Sequence, residues 1–423
     1  MLVTLKYGRR LREVDIPENA DVTVLGPASV PIVENVVEAL EEALDHPVGS
    51  PPFVNLIRSL APRRVAIAVP DETRPTPMQT ILPLVLKRLY GAALELECTK
   101  VTVLVGGGLH PPTDSANLED FIPAAVALGC RVVAHDALNA RMVDFGSTSR
   151  GTPIRINAEF AEADLRIVIG QIDPHQFVGF TGGSKGAAIG LASAETIEHN
   201  HSLFLDPLSR VGRLKGNPVR EDMNEIGRIL RSHYAVNVVL DGNKEVVRFF
   251  AGDPEAVLFA GADVSADLYG VRVSEKFDIV IASCGGHPKD ITLYQAQKGL
   301  NLASQALKAG GKILLLAACP QGVGDDVYFD YVSRFQTAQE VLEDFRRLGF
   351  KMGAHKAFLF ARTLDSFDVA LASDLDAETL AKCHLRAVEP AAVVREWVDA
   401  FGGRPRVAVI PNANTTFFIE EPA

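Results

Sequence analysis

Short runs of β-branched and other apolar residues recur along this chain, and each breaks off at glycines or polar residues. Residues 65–69 run into Pro70-Asp71-Glu72-Thr73-Arg74-Pro75, and residues 101–105 run into Gly106-Gly107-Gly108-Leu109-His110. Residues 131–134 end at His135-Asp136, and residues 167–170 at Gln171-Ile172-Asp173-Pro174-His175. Apolar runs this short, bounded by turn formers, predict buried strands. Between several of them the spacing predicts helices, over 78–90 and 115–128. Strands that alternate with helices imply βαβ units, hence an α/β fold with mainly parallel sheets flanked by helices.

Past Leu191 the pattern predicts helices over 194–203 and 220–231. A strand over 234–241, the turn Asp241-Gly242-Asn243 and a strand over 245–250 then read as a hairpin. A helix follows over 256–269. A second α/β series starts with residues 279–282, which end in Ser283-Cys284-Gly285-Gly286-His287. It continues with 312–316 and 407–410, which end in Ala318-Cys319-Pro320-Gln321-Gly322 and Pro411-Asn412-Ala413. A chain of 423 residues exceeds one compact core. We expect two domains, 1–270 and 271–423, with the active site in the cleft between them. No repeat of fixed short period and no low-complexity segment interrupts this reading.

Composition narrows the function classes. The chain is 47% hydrophobic and 22% charged, as ordinary globular proteins are. A formal net charge of −11 argues against nucleic-acid binding, which requires a basic face. It leaves room for a small anion in a local basic pocket. Cys98, Cys130, Cys284, Cys319 and Cys383 are scattered without a C-x-x-C pair, which disfavours a cysteine zinc site and fits a reducing cytoplasm. The N-terminus lacks a signal-peptide apolar core, and no apolar stretch approaches the ~20 residues of a membrane span. The expected location is cytoplasmic, without membrane or nucleic-acid partners.

The sharpest chemistry lies in residues 171–185, just past a predicted strand, where open α/β sheets hold ligands. His175 would move a proton near neutral pH. Lys185 would hold an anion or carry a covalent adduct. Gly182 and Gly183 would let backbone approach a ligand. The plain alternative is a solvated histidine and an ordinary turn, and the G-x-x-x-x-G-K-[ST] phosphate loop is not met. Asp71 and Arg74 share one proline-stiffened turn, suited either to an anionic ligand or to a structural ion pair. Gly106-Gly107-Gly108 suggests close backbone approach to a ligand, with His110 placed for acid–base work, whereas a dinucleotide fingerprint fits poorly. His199 and His201, two apart, do not share a helix face, so one serves as a single metal ligand or both lie at a solvated helix end. Gln295 and Lys298, three apart, share a face and offer an amide and an ammonium to an oxyanion; a plain polar surface is the alternative.

In their order and spacing these elements resemble the nickel-pincer lactate racemase family. The matching residues are Asp71-x-Thr73-Arg74-Pro75, Gly108-x-His110, Asp173-Pro174-His175, Gly182-Gly183-x-Lys185, Thr196-Ile197 to Asn200-His201, and Gln295-x-x-Lys298-Gly299. The resemblance implies nickel and a pyridinium-3,5-dithiocarboxylic-acid-type mononucleotide covalently attached to Lys185 and made by cofactor-biosynthesis proteins. It implies cofactor contacts from Thr73, Gly182 and Gly183, and His201 as the protein's ligand to a four-coordinate, roughly planar metal. His110 and His175 become the catalytic pair, with Asp71 orienting His110. Asp71, Arg74, Gln295 and Lys298 fall on the substrate side. Residues 1–270 would then bind cofactor and catalyse, and 271–423 would contribute substrate-binding residues.

The implied activity is a racemase or epimerase of small 2-hydroxy acids. It would act by proton-coupled hydride transfer through a 2-oxo acid, which avoids a carbanion at C2. Two departures stand out. Pro111-Pro112 follow His110 where a basic or polar residue is expected for a lactate enzyme, and Ile189 stands where a proline is expected. A C2 epimerase of a sugar acid fits the same residues. A nickel- or cofactor-binding protein without activity is countered by the intact His110, His175, Lys185 and His201, and an NAD-dependent dehydrogenase by the missing dinucleotide fingerprint.

Overall fold

In a computed structural model, which describes residues 1–93 and 100–420, the chain forms two compact units. One comprises residues 29–268 and the other residues 1–28 with 269–423. Cys98 lies outside the described residues.

The 29–268 unit is built on a six-stranded sheet. Its order is Val246–Gly252, Tyr234–Leu240, Leu165–Gln171, Arg64–Pro70, Lys100–Gly106 and Arg131–Ala134. Only Val246–Gly252 runs antiparallel to its neighbour. Val65, Ile67, Val69, Val103, Val105, Ile167, Ile169, Val236 and Val238 are buried in one core with Leu40, Leu44, Phe53, Ile57, Leu82 and Leu86 from flanking helices. Burial on both faces is why these strands read as unbroken apolar runs. In chain order the strands are laid out from Arg64–Pro70 outward to one side and then, from Leu165–Gln171, outward to the other. The gap between these two central strands is therefore the topological switch point, where the loops at the carboxyl ends diverge and open a crevice.

The expected elements are recovered with local changes. The helix expected over 115–128 is two, Ser115–Phe121 and Pro123–Ala127. Pro123 has no N–H to continue the first and sits at the start of the second. The hairpin turn at Asp241 is held by its carboxylate, which accepts from the N–H groups of Asn243 and Glu245, both at 2.8 Å.

The second unit holds a six-stranded parallel sheet. Its order is Arg386–Ala387, Asp368–Ala372, Leu307–Leu316, Phe277–Ser283, Arg406–Ile410 and Asp21–Val24. The first 28 residues thus belong with the C-terminal half, a correction to a boundary that kept 1–270 together. Hydrogen bonding and burial both enforce it. Asp21–Val24 pairs in register with Arg406–Val409, and Val3, Leu5, Tyr7, Val14 and Ile16 share a core with Ile281, Leu314, Trp397 and Val409. Among the described residues no helix is long and apolar enough to cross a membrane.

Two imidazoles, His135 buried and His233 half-buried, knit the 29–268 unit together in their neutral form. His135 Nε2–H donates to the Ala192 carbonyl at 2.9 Å while Nδ1 accepts from Asn157 at 3.1 Å. His233 Nδ1 accepts from the Arg166 N–H at 3.1 Å. Burial lowers the pKa of both. For His233 the nearby charges of Arg166 and Arg231 add to it, and its value falls from 6.5 to about 4. The unfolded chain takes up these protons below pH 6.5 whereas the folded chain resists them, so acid favours unfolding. The melting temperature of the cofactor-free protein is expected to fall as pH drops from 6.5 toward 4, and less steeply in His233→Gln. A flat profile across that window in thermal denaturation would contradict this account.

Candidate active site

At the end of strand Arg64–Pro70, Asp71 is 5% exposed. Its Oδ1 accepts from the Thr73 N–H at 3.0 Å and from the Thr73 hydroxyl. Its Oδ2 accepts from His110 Nδ1–H at 2.9 Å. Burial opposes ionisation of this carboxyl. The hydrogen bonds from His110 and Thr73 and the charge of Arg74, 3.8 Å away, outweigh it and hold the pKa at about 2. An ionised Asp71 fixes the His110 tautomer and leaves Nε2 with its lone pair. The imidazole is about half exposed, so that nitrogen can meet a ligand.

The glycines before His110 serve mainly backbone packing rather than the ligand approach expected of them. A Cβ on Gly106 would lie 2.7 Å from the Gly190 carbonyl oxygen, and one on Gly107 would lie 2.9 Å from Asp71 Oδ2. Gly108, at φ +63°, donates its N–H to that same Gly190 carbonyl at 3.2 Å. The loop carrying His110 is thereby tied to the segment that follows Lys185.

Beyond strand Leu165–Gln171, Pro174–His175 and Gly179–Phe180 form a short antiparallel pair. His175 Nδ1 accepts from the Val178 N–H at 3.4 Å, which assigns the ring proton to Nε2. Phe177 lies edge-on to His175 and to His201, with centroids 4.7 Å and 5.3 Å away. Gly182 and Gly183 follow at φ +90° and +61°, and Gly183 donates to buried Asn237 Oδ1 at 2.8 Å. Arg220, wholly buried, directs its guanidinium at the carbonyls of Val178, Phe180 and Gly182.

Lys185 opens the short helix Lys185–Ala188. Burial lowers its pKa to about 7, with help from Arg74 and Arg220 and against the pull of Asp71. A lysine in this range has much of its amine free at neutral pH, the state a covalent tether requires. His201 ends the helix Ala194–Ser202. Burial, together with the Lys185 charge, lowers its pKa to about 3 and keeps the ring neutral. Its Nδ1–H faces Asn200 Oδ1 at 3.2 Å. Asn200 is in turn held at 2.8 Å by Asp222, a buried carboxylate that also accepts from Thr148 at 2.5 Å and Thr152 at 2.8 Å. A neutral imidazole oriented through Nδ1 leaves Nε2 as a metal ligand. His199 turns the other way, to Thr152 at 2.9 Å. Among the described residues no three His, Cys, Asp or Glu side chains gather as a metal-binding group.

The structure thus brings together Asp71, Thr73, Arg74, His110, His175, Gly182, Gly183, Lys185 and His201 around the switch point of one sheet. Thr73 spends both its N–H and hydroxyl on Asp71. Gln295 and Lys298 lie in the other unit, on helix Leu293–Ala303. Sequence reasoning missed Arg220, Asp222 and Phe177. Arg220 and Asp222 sit in an amphipathic helix, Pro218–Leu230, where polar residues read as solvent-facing.

Comparison with known proteins matches the chain to one family. Residues 7–212 match the lactate racemase N-terminal domain and residues 273–417 the lactate racemase C-terminal domain. The chain is 32% identical over 383 residues to the lactate racemase of Lactiplantibacillus plantarum, with 89% of each protein covered. It is 29% identical over 345 residues to that of Thermoanaerobacterium thermosaccharolyticum, with 80% of each covered. In structure it is similar to the lactate racemase apoprotein of the latter organism, with a TM-score of 0.88 and 26% identity over 99% of this chain and 100% of that one. The chain belongs to the lactate racemase family, a family of isomerases.

Arg220→Met would remove the guanidinium's hydrogen bonds to the carbonyls of Val178, Phe180 and Gly182. A loss of about 1–3 kcal/mol is expected, read as a lower urea midpoint at unchanged slope. An unchanged midpoint would mean that the guanidinium does not hold this loop.

Proposed function

We propose that this protein racemises or epimerises small 2-hydroxy acids at C2, with a nickel-bearing pyridinium mononucleotide tethered to Lys185. The observation that carries the reading is the opposite setting of two histidines beside one switch point. His110 gives its Nδ1 proton to Asp71 and presents a basic Nε2, whereas His175 accepts at Nδ1 and presents Nε2–H. His110 is thereby set to take a hydroxyl proton, and His175 would return one when its ring enters the step protonated. Inversion at C2 would follow if the planar 2-oxo acid turned before hydride returned to its other face. The rings exchange roles for the reverse direction.

The residues fit the cofactor's demands. Lys185 supplies a partly free amine and His201 a neutral imidazole oriented by Asn200. When bound, the group supplies a reversible acceptor for the C2 hydride. Arg74, about half exposed, offers a guanidinium to the substrate carboxylate, and Gln295 and Lys298 are assigned to the same task. Asp71 acts through His110 by fixing its tautomer.

Chain produced together with cofactor-making proteins is expected to carry an added mass of a few hundred daltons on Lys185, with nickel. Lys185→Ala would carry no adduct, and His201→Ala would keep the adduct but lose nickel. Absence of both adduct and nickel from the wild type would return Lys185 to plain anion binding. With loaded enzyme, His110→Ala and His175→Ala should each lower kcat by about 10²–10⁴-fold while intact mass shows the adduct retained. Full activity in either variant would remove that residue from the proton-transfer role.

A further inference from the structure

Helix Ala354–Ser366 packs on helix Leu293–Ala303 and brings Lys356 alongside Lys298. Lys356 Nζ donates to Gln297 Oε1 at 3.0 Å and lies 5.1 Å from the centroid of the Tyr294 ring. Among the described residues it makes no ion pair with a carboxylate. The acidic group that acts on it, Asp325, accepts the Tyr328 N–H at 2.7 Å as a helix cap. Burial and the charge of Lys298 together lower the Lys356 pKa to about 7. A half-buried ammonium that donates to an amide oxygen and lies beside a second lysine, with no carboxylate in ion-pair contact, is set to gain from an arriving anion.

The helix geometry separates that anion from the one held by Gln295 and Lys298. These two residues share a face, whereas Gln297 is turned about 200° from Gln295 at 3.6 residues per turn. Lys356 is anchored on the Gln297 and Tyr294 side. It therefore adjoins Lys298 without joining the Gln295 grip. Gln297 itself is fully buried, so its oxygen fixes the ammonium in place.

We infer that Lys356 is a specificity residue that binds a second carboxylate, and that the substrate is a short 2-hydroxydicarboxylic acid rather than a monocarboxylic one. The inference rests on the racemase reading of Gln295 and Lys298. A second carboxylate on the substrate would bring an anion to Lys356, which a methyl or plain alkyl side chain would not supply.

The test compares malate and 2-hydroxyglutarate with lactate on cofactor-loaded enzyme. The wild type should favour at least one dicarboxylate over lactate by about 10- to 100-fold in kcat/KM, the worth of one charge-assisted hydrogen bond. Lys356→Met should erase most of that ratio and Lys356→Arg should keep much of it, with unchanged circular dichroism showing that both fold. Lactate preferred by the wild type, or a ratio unmoved in Lys356→Met, would overturn the inference while leaving the racemase reading intact. Calorimetric titration with the same acids reads binding without turnover. Protein that binds malate through Lys356 yet racemises nothing would keep the second carboxylate site and overturn the reaction instead.

Discussion

The contact on which the site depends is between two backbones, at Gly106 and Gly190. A side chain on Gly106 would strike the Gly190 carbonyl, and that carbonyl also takes the N–H of Gly108. Two loops that leave the sheet at different strands are thereby held as one piece. One carries His110 and the other follows Lys185. Close-packed backbone transmits position with little slack, so His110, its carboxylate partner Asp71 and Lys185 keep a common frame. Gly107 completes it by admitting the Asp71 carboxylate to His110.

Around that frame the protein gathers more positive charge than its overall balance would suggest. The chain is acidic, yet Arg74 and Arg220 both act on Lys185 in the 29–268 unit. Asp71 opposes them at Lys185, and it is committed to His110 and Thr73. Arg220 is tolerated because peptide carbonyls, not a counter-ion, surround its guanidinium. Carbonyl dipoles satisfy its N–H groups without cancelling its charge. The net field favours an anion and disfavours a second proton on Lys185 or His201.

Much of this was legible in the sequence, for a physical reason. Parallel strands buried on both faces leave unbroken apolar runs, and their carboxyl-end loops must carry the ligand groups, so Asp71, His110 and His175 announced themselves. The alternation in Leu2–Tyr7, with Val3, Leu5 and Tyr7 buried, was also there to be read as a half-buried strand. Its hairpin partner Arg10–Asp15 is close in sequence, but the sheet this segment joins was not legible, because Asp21–Val24 finds its neighbour almost the whole chain away at Arg406–Ile410. Arg220 and Asp222 stayed hidden because a polar residue on an amphipathic helix is ordinarily solvated. Only three-dimensional packing turns them inward. The role of Phe177, an edge between two histidines, has no sequence signature at all.

The nesting of one unit inside the other has a consequence for synthesis. Residues 29–268 are complete, with every strand of their sheet made, while the chain still has its last 155 residues to add. Strand Asp21–Val24 has by then waited without the strand beside which it belongs. Domains ordinarily fold in the order they emerge from the ribosome. Here strand Asp21–Val24 is made before residues 29–268 yet housed after them, and its unpaired edge is a standing invitation to wrong partners until Arg406–Ile410 arrives. Its companion hairpin ends in charged turns, with Arg9, Arg10 and Arg12 clustered there. Such residues keep a waiting edge soluble. The acidic, solvated surface of the finished protein and the basic tip of its first hairpin would therefore serve different moments in the life of one chain.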